Sequence, residues 1–293
     1  MAYEFDPGET RFTKALRRIA RDELGGALAL ARATEHDGSP LHPMRRHVKK
    51  TRGLLRLVAP VFPGFERENA TLREAAAGIS ALRDAEVMRE GLDRIAAEAP
   101  APVAEAARAM LAHMPAAEGS LDPRALARFA ECIAEVQDRA RNWDLEEEGW
   151  DALGPGLEAT LEDARRRMKR AKKSRADEDF HRWRSRVKHH WYHTRLLAGL
   201  WPEMMVARAG AADRLGEMLG QHHDLAVLTR ALPDHLEPDQ VTALGAYLAR
   251  EQARLETLSF TLGTRLFAER PAAVVERWGA WHDLACAEAK ILH

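Results

Sequence analysis

Two short stretches of the sequence concentrate side chains that bind phosphate. LHPMRRHVKKTRGLLRL, residues 41–57, contains six Arg or Lys residues and two histidines but no acid. FHRWRSRVKHHWYHTRLL, residues 180–197, contains five Arg or Lys residues and four histidines, again without an acid. Arginine makes bidentate contacts to phosphate, and lysine supplies a movable point charge. The two stretches therefore predict a site for a polyanion.

The cations of the first stretch follow helical spacing. At i, i+4, i+7 and i+11 lie Arg45, Lys49, Arg52 and Arg56. They share one helix face over about 16 Å, at roughly 1.5 Å per residue. Beside them runs an apolar stripe of Met44, Val48, Leu55 and Val58. Like charges at this spacing destabilise a helix by a few tenths of a kcal/mol per pair. Such a ladder is tolerated where solvent screens it, where acids of neighbouring helices pair with it, or where a ligand neutralises it.

The pattern occurs twice in register. At an offset of 139, His42, Arg45, Lys49, Lys50 and Arg56 align with His181, Arg184, Lys188, His189 and Arg195. A second block, LRDAEVM at residues 82–88, aligns with HHDLAVL at residues 222–228, which places Arg83 opposite His223 and Asp84 opposite Asp224. Two blocks with nearly the same spacing predict an internal duplication.

Overall composition hides this concentration of charge. The chain has 293 residues and a formal net charge of −1. Residues 41–60 nevertheless carry six Arg or Lys and no acid, and residues 161–195 carry thirteen against five acids. The rest of the chain is therefore acidic, and the asymmetry predicts a polyanionic partner. We expect a cytoplasmic protein without a signal peptide or a membrane span, because no apolar run approaches the roughly 18 residues required.

The remaining sequence predicts the elements that position these cations. Apolar residues recur at intervals of three and four, and alternating β-branched stretches are missing, so we expect an all-α protein of about ten helices. Proline and glycine mark the breaks, and GPG at residues 154–156 is the best boundary between halves. The predicted organisation is two pseudo-symmetric antiparallel helical bundles, 1–153 and 154–293. Cys132 and Cys286 lack a CxxC partner and are expected to be core residues.

Together the paired motifs resemble the CHAD domain, a family named for a conserved histidine in an α-helical domain. The resemblance extends from about residue 9 to about residue 291. It implies two four-helix bundles that face a basic groove, which binds inorganic polyphosphate, and an association with polyphosphate granules. Where the family usually has arginine, this chain has His189 and Trp191, which suggests a weaker or more pH-sensitive second half.

The resemblance and the charge pattern together define the candidate polyphosphate-binding residues. From the first half these are His42, Arg45, Arg46, Lys49, Lys50, Arg52, Arg56 and Arg83. From the second half they are His181, Arg184, Lys188, His189, Arg195 and His223. The basic run RRRMKRAKKSR at residues 165–175 adds Arg166, Lys169, Arg170 and Lys173, which could share one side of its helix.

Two other functions stay open at this stage. The adjacent His223 and Asp224 would suit a metal-dependent phosphohydrolase, but companion histidines at metal-ligand spacing are not evident, and the duplicated position holds Arg83. A basic groove also attracts nucleic acid. Aromatic residues, which stack on bases, make up only 6% of the chain. The prediction is therefore non-catalytic binding of polyphosphate, with no catalytic residue, metal or cofactor and with no oligomeric state specified.

Overall fold

The computed structural model describes residues 3–33, 40–79, 81–114, 122–232 and 236–292, with the backbone alone for 81–87 and 292. These residues form eleven α-helices and no strand, which confirms the predicted all-α class. The helices are α1 Phe12–Arg32, α2 Leu41–Val58, α3 Phe65–Gly78, α4 Ala81–Glu98, α5 Ala101–His113, α6 Pro123–Ala140, α7 Gly154–Ser174, α8 Asp177–Leu196, α9 Pro202–Ala231, α10 Pro238–Leu266 and α11 Pro271–Leu292.

Proline places several of the helix starts. The helices α6, α9, α10 and α11 all begin at a proline, a residue whose fixed φ suits the first helical position and whose missing N–H is not needed there. The GPG motif is the first turn of α7 rather than a linker. The break before it runs from Arg141 to Leu153 and contains a short 3-10 turn at Gly149–Ala152.

The larger of two hydrophobic clusters anchors the basic helices. Residues from α1, α2, α3, α6, α7, α8, α11 and the first half of α9 contribute to it. Met44, Val48, Leu55 and Val58 are all fully buried in this cluster, as the apolar stripe predicted. On α8 the equivalent anchors are Phe180, Trp183 and Val187. Both basic helices are therefore fixed by apolar burial, which leaves their cationic faces to point away from the core.

The smaller hydrophobic cluster joins elements that are distant in sequence. It combines Leu92 and Ile95 of α4 and Met110 of α5 with Leu244 and Leu248 of α10. Both hydrophobic clusters thus contain residues from either side of residue 154. The division into 1–153 and 154–293 stays a prediction about the repeated sequence, and the two parts share their cores.

Local structure follows the repeat in one further respect. A 3-10 turn at Ala59–Val61 follows α2, and another at Ala198–Leu200 follows α8. The two turns lie at the same offset of 139 as the basic residues. After them, α3 and α4 of the first half correspond to the single 30-residue helix α9. Within the described residues, none of the helices has the length and apolarity to cross a bilayer.

Candidate anion-binding site at the α2/α8 junction

The two basic helices pack directly against each other at Gly53. A Cβ atom at this position would lie 2.8 Å from the Tyr192 side chain, so only glycine allows so close an approach. His193 Nε2 lies 3.1 Å from the Gly53 carbonyl oxygen and donates to it. Burial lowers the pKa of His193 to about 3, and so its ring is neutral. Gly53 and Tyr192 lie 139 positions apart, which is the offset of the predicted repeat.

On one part of the junction, cations of α2 and α8 lie around a pair of histidines, one from α8 and one from α9. We call Arg45, Lys49, His181, Arg184 and His223 the histidine cluster. The rings of His181 and His223 lie 4.7 Å apart between centroids. Partial desolvation lowers the pKa of His181, and the charges of His223, Arg184 and Lys49 lower it further. Burial and the charge of Arg45 likewise lower the pKa of Arg184, while Asp224 opposes the shift.

Farther along the same face of α2 lies a second group of cations. Arg52, Arg56, Arg73, Arg186 and His189 form what we call the arginine cluster. Burial lowers the pKa of Arg52, and Arg73 and Arg186 lower it further. The pKa of Arg56 falls for the same reason, with Arg186 and Arg52 as the nearby charges. Desolvation, three arginines of this cluster and His193 hold the pKa of His189 well below its usual value, so the histidine is neutral at pH 7.

Uncharged groups hold the stems of the α2 arginines. Arg52 Nε donates to Asn69 Oδ1 at 3.0 Å, and the Arg56 guanidinium lies 4.5 Å from the centroid of the Phe65 ring. Two acids reach this region: Glu66 acts on Arg56 from a distance, and Asp163 pairs with Arg186, Arg166 and Arg167 together. The Asp163 carboxylate therefore forms ion pairs with three arginines, and positive charge remains in excess in this region.

A further group of basic side chains at the α2/α8 crossing lies against aromatic rings. Lys188 Nζ lies 4.6 Å and the Arg195 guanidinium 5.0 Å from the centroid of Trp191. Lys50 Nζ lies 4.9 Å from the centroid of Tyr3. Unlike the arginine cluster, this group has close acids, since Lys50 Nζ lies 2.7 Å from a Glu23 oxygen and Lys188 Nζ lies 2.8 Å from Asp213 Oδ1. Trp191, predicted as a departure from the basic ladder, serves as a platform for two cations.

Glycines of α9 make room for two of the predicted cations. A Cβ atom at Gly216 would lie 2.8 Å from Lys188 Cε, and one at Gly220 would lie 3.0 Å from an Arg184 nitrogen. Arg184 Nε also donates to the Gly216 carbonyl oxygen at 3.3 Å. The α9 backbone thus fixes both stems and sets where their charges lie.

Of the four predicted residues in the 165–175 run, the two arginines pair with acids and the two lysines are exposed. Arg166 pairs with Asp163 next to Arg186, and Arg170 Nε donates to Asp179 Oδ1 at 3.1 Å. Lys169 and Lys173 are exposed on α7. His42 and Arg46 are exposed on α2. The Arg83 side chain lies outside the described residues.

Sequence reasoning missed four groups at the junction. Arg186, Arg73, His47 and Tyr3 were not among the candidates, although Arg186 lies inside the quoted basic stretch. It was passed over because it is two residues from Arg184 and therefore off the helical ladder. His47 Nδ1 and Glu23 Oε2 lie 2.7 Å apart, and this contact crosses from α2 to α1. No spacing within α2 could have indicated that partner.

The motif that suggested an enzyme is divided between core and surface. His222 is buried and stacks on Phe180 at 4.2 Å between ring centroids, with Nε2 3.4 Å from Glu256 Oε1. His223 belongs to the histidine cluster, and the negative charge of Asp224 raises the pKa of Arg184. Over the described part of the chain, no three His, Cys, Asp or Glu side chains are grouped so as to hold a metal ion.

The described residues form an all-α fold with a cation-lined junction between α2 and α8, and comparison with known families assigns this fold to a class. The model of the CHAD domain matches residues 11–233, so the chain belongs to the CHAD domain family. A crystal structure of the CHAD domain from the plant Ricinus communis is similar over 92% of this chain and 95% of its own, with a TM-score of 0.63 and 22% identity.

A second solved structure, PptA from Streptomyces chartreusis, is similar over 88% of this chain and 99% of its own, with a TM-score of 0.59 and 14% identity. These likenesses support the fold. No curated protein matches the chain.

Proposed function

We propose that the protein binds inorganic polyphosphate, without cleaving it, on the basic surface where α2 and α8 meet. The CHAD family is associated with polyphosphate binding. A linear phosphate chain carries repeated negative charge and no base or sugar, so its binder needs spaced cations on an open surface. The α2 ladder supplies that spacing, and it connects the histidine cluster with the arginine cluster.

The observation that carries the proposal is the mutual repulsion within the arginine cluster. Burial lowers the pKa of both Arg52 and Arg56, the nearby charge of Arg186 lowers both further, and Asp163 is shared among three arginines. Cations that serve folding alone are ordinarily matched with acids, since an unpaired, partly buried charge is costly. A phosphate chain would neutralise this excess and form charge-assisted hydrogen bonds.

Aromatic geometry favours polyphosphate over single-stranded nucleic acid. Proteins that follow nucleic acid usually offer exposed aromatic faces for base stacking. At the junction, Lys188 and Arg195 already cover Trp191, and Trp183 is fully buried. The charge of the surface is therefore available to a ligand, while its aromatic faces are occupied. Binding without chemistry, in the cytoplasm and on polyphosphate granules, is part of the proposal.

A competition experiment tests the choice of ligand. Fluorescent polyphosphate bound to the full chain is displaced by unlabelled polyphosphate, by RNA, by ATP and by short phosphates at equal phosphate concentration. We expect long polyphosphate to displace the label at the lowest concentration. Displacement by RNA at a lower concentration would instead establish the nucleic-acid alternative.

The site is tested with charge-removing variants of equal size. Arg45→Gln/Lys49→Gln removes two cations from the histidine cluster, and Arg124→Gln/Arg128→Gln removes two exposed cations from α6, which packs against α1 and α3. We expect the first pair to weaken binding and the second to leave it unchanged. If Arg45→Gln/Lys49→Gln melts far below the parent and binds equally well, these residues are internal salt-bridge partners and the proposed site is wrong.

A further inference from the structure

A third basic ladder lies on α1, away from the α2/α8 junction. Residues 11–21, RFTKALRRIAR, contain five Arg or Lys residues and no acid. Arg11, Lys14, Arg18 and Arg21 follow the spacing i, i+3, i+7 and i+10, which places them on one helix face over about 15 Å.

This ladder lines a cavity between α1 and the end of α6. The volume of the cavity is about 790 Å³. Six of the residues around it are cationic, namely Arg11, Lys14, Arg17, Arg18, Arg21 and Arg141, and one is acidic, Glu148. None of the lining residues belongs to α2 or α8. The cavity is therefore separate from the proposed polyphosphate surface.

The central arginines are held in place by backbone carbonyl groups. Arg17 Nε donates to the Trp143 carbonyl oxygen at 2.5 Å, and Arg18 Nη2 donates to the Glu4 carbonyl oxygen at 3.3 Å. Their nearest carboxylates are farther away, 3.7 Å to Asp144 and 3.5 Å to Asp6. The backbone contacts fix the positions of the two guanidinium groups, and each group also has one carboxylate partner that is itself largely exposed to solvent.

The mouth of the cavity has further cations, of which Arg21 pairs with Asp22 at 3.7 Å and Arg141 pairs with Asp138 at 3.5 Å. Arg11 and Lys14 are exposed and make no ion pair with any residue that the structure describes. Glu148, the acid in the lining, is used by the start of α1, because its carboxylate accepts a hydrogen bond from the Thr13 N–H at 3.3 Å. The lining itself therefore has more cations than acids, although four of its arginines also pair with carboxylates beside the cavity.

From this geometry we infer a second anion site, which binds a short inorganic oligophosphate. Six cations around one cavity suit a compact ligand with several linked charges rather than a single phosphate. The lining contains no aromatic residue that could stack on a nucleobase, so the recognised group is phosphate alone. The ligand is either a free oligophosphate or a segment of a longer chain. The inference does not depend on the function proposed for the junction.

Lysine footprinting separates the two sites in a single experiment, because Lys14 reports on the cavity and Lys49 on the junction. The full chain is acetylated with acetic anhydride in the presence of inorganic tripolyphosphate or long-chain polyphosphate, and labelling rates are read by mass spectrometry. At a tripolyphosphate concentration ten times the dissociation constant, we expect Lys14 labelling to slow about tenfold, in proportion to the unoccupied fraction. Lys290, which is exposed on α11, is the internal reference and should be unaffected.

Two variants determine whether the cavity binds independently. Arg11→Gln/Arg21→Gln should raise the tripolyphosphate concentration needed to protect Lys14 by about tenfold or more, whereas Arg124→Gln/Arg128→Gln should leave it unchanged. Protection of Lys14 should persist in Arg45→Gln/Lys49→Gln. The inference is overturned if sodium sulfate of matched ionic strength slows Lys14 equally, or if Arg11→Gln/Arg21→Gln behaves like the parent. It is also overturned if only long-chain polyphosphate protects Lys14 and the junction variant abolishes that protection.

Discussion

Removing two charges from the arginine cluster should change the salt dependence of polyphosphate binding by a calculable amount. The histidine and arginine clusters contain seven permanently charged side chains: Arg45, Lys49, Arg52, Arg56, Arg73, Arg184 and Arg186. By analogy with single-stranded nucleic acid, log K falls with log salt by about 0.7 per phosphate neutralised. Seven contacts give a slope of about −5. Arg52→Gln/Arg56→Gln should reduce it to about −3.5 and weaken binding about tenfold near 0.15 M salt.

The fold should tolerate this change, because few favourable contacts are lost. Arg52 contributes one hydrogen bond to Asn69, which glutamine can replace, and Arg56 contributes one cation–π contact with Phe65. These are worth about 1 kcal/mol each, and removal of repulsion between Arg52, Arg56 and Arg186 offsets part of the loss. The free energy of unfolding should therefore change by less than about 2 kcal/mol.

Fluorescence anisotropy with labelled polyphosphate, repeated over a series of sodium chloride concentrations, measures the slope. Arg124→Gln/Arg128→Gln makes the same change in net charge away from the junction and should retain the parent slope. A parent slope near zero would refute distributed electrostatic binding. A slope that is the same in parent and Arg52→Gln/Arg56→Gln would exclude the arginine cluster from the binding surface.

Three further predictions concern protons and chemistry. Partial burial and then the neighbouring cations lower the pKa of His181 in the free protein. Because a bound phosphate chain should raise that pKa, affinity measured by anisotropy should increase as pH falls below about 6.5. His181→Gln/His223→Gln should flatten that dependence, and an unchanged profile would exclude the histidine pair. His193 has a folded pKa of about 3, so between about pH 6.5 and 3 only the unfolded state gains its proton. Its contribution to stability, measured by urea denaturation, should fall by roughly 1.4 kcal/mol per pH unit in that window, and His193→Gln should show a shallower decline. Purified protein with Mg²⁺ or Mn²⁺ should release no orthophosphate from polyphosphate, and release that disappears in His223→Ala or Asp224→Ala would establish an enzyme.

Local sequence was sufficient for the fold class and for much of the candidate site. Helical periodicity predicted the helices, since burial of one face imposes the spacing of apolar residues wherever a helix packs. The stripe of Met44 and Val48 beside the Arg45 and Lys49 ladder needed no tertiary information, because all four positions belong to one helix. The duplication similarly predicted that α8 would repeat the chemistry of α2.

The predicted boundary shows where punctuation by proline and glycine is ambiguous. GPG at residues 154–156 was predicted to mark the break between two halves, and α7 begins there, because proline suits the first turn of a helix as well as a loop. The division into halves stays a prediction. The sequence also could not show which helices bury their apolar faces against each other. The pairing of α4 and α5 with α9 and α10 brings together apolar faces that look alike in sequence.

The sequence by itself determined which residues are cationic, which face of each helix carries them and that the chain is helical, because these properties depend on contacts within about four residues. Only the tertiary structure decided which cations act on one another. Gly53 permits the close crossing that brings Arg52 and Arg56 to Arg186. The tertiary structure also decided that Lys188 has its own acid beside it, whereas three arginines share Asp163. Electrostatic energy depends on distance through space, and residues more than 100 positions apart acquire that distance only when the helices pack.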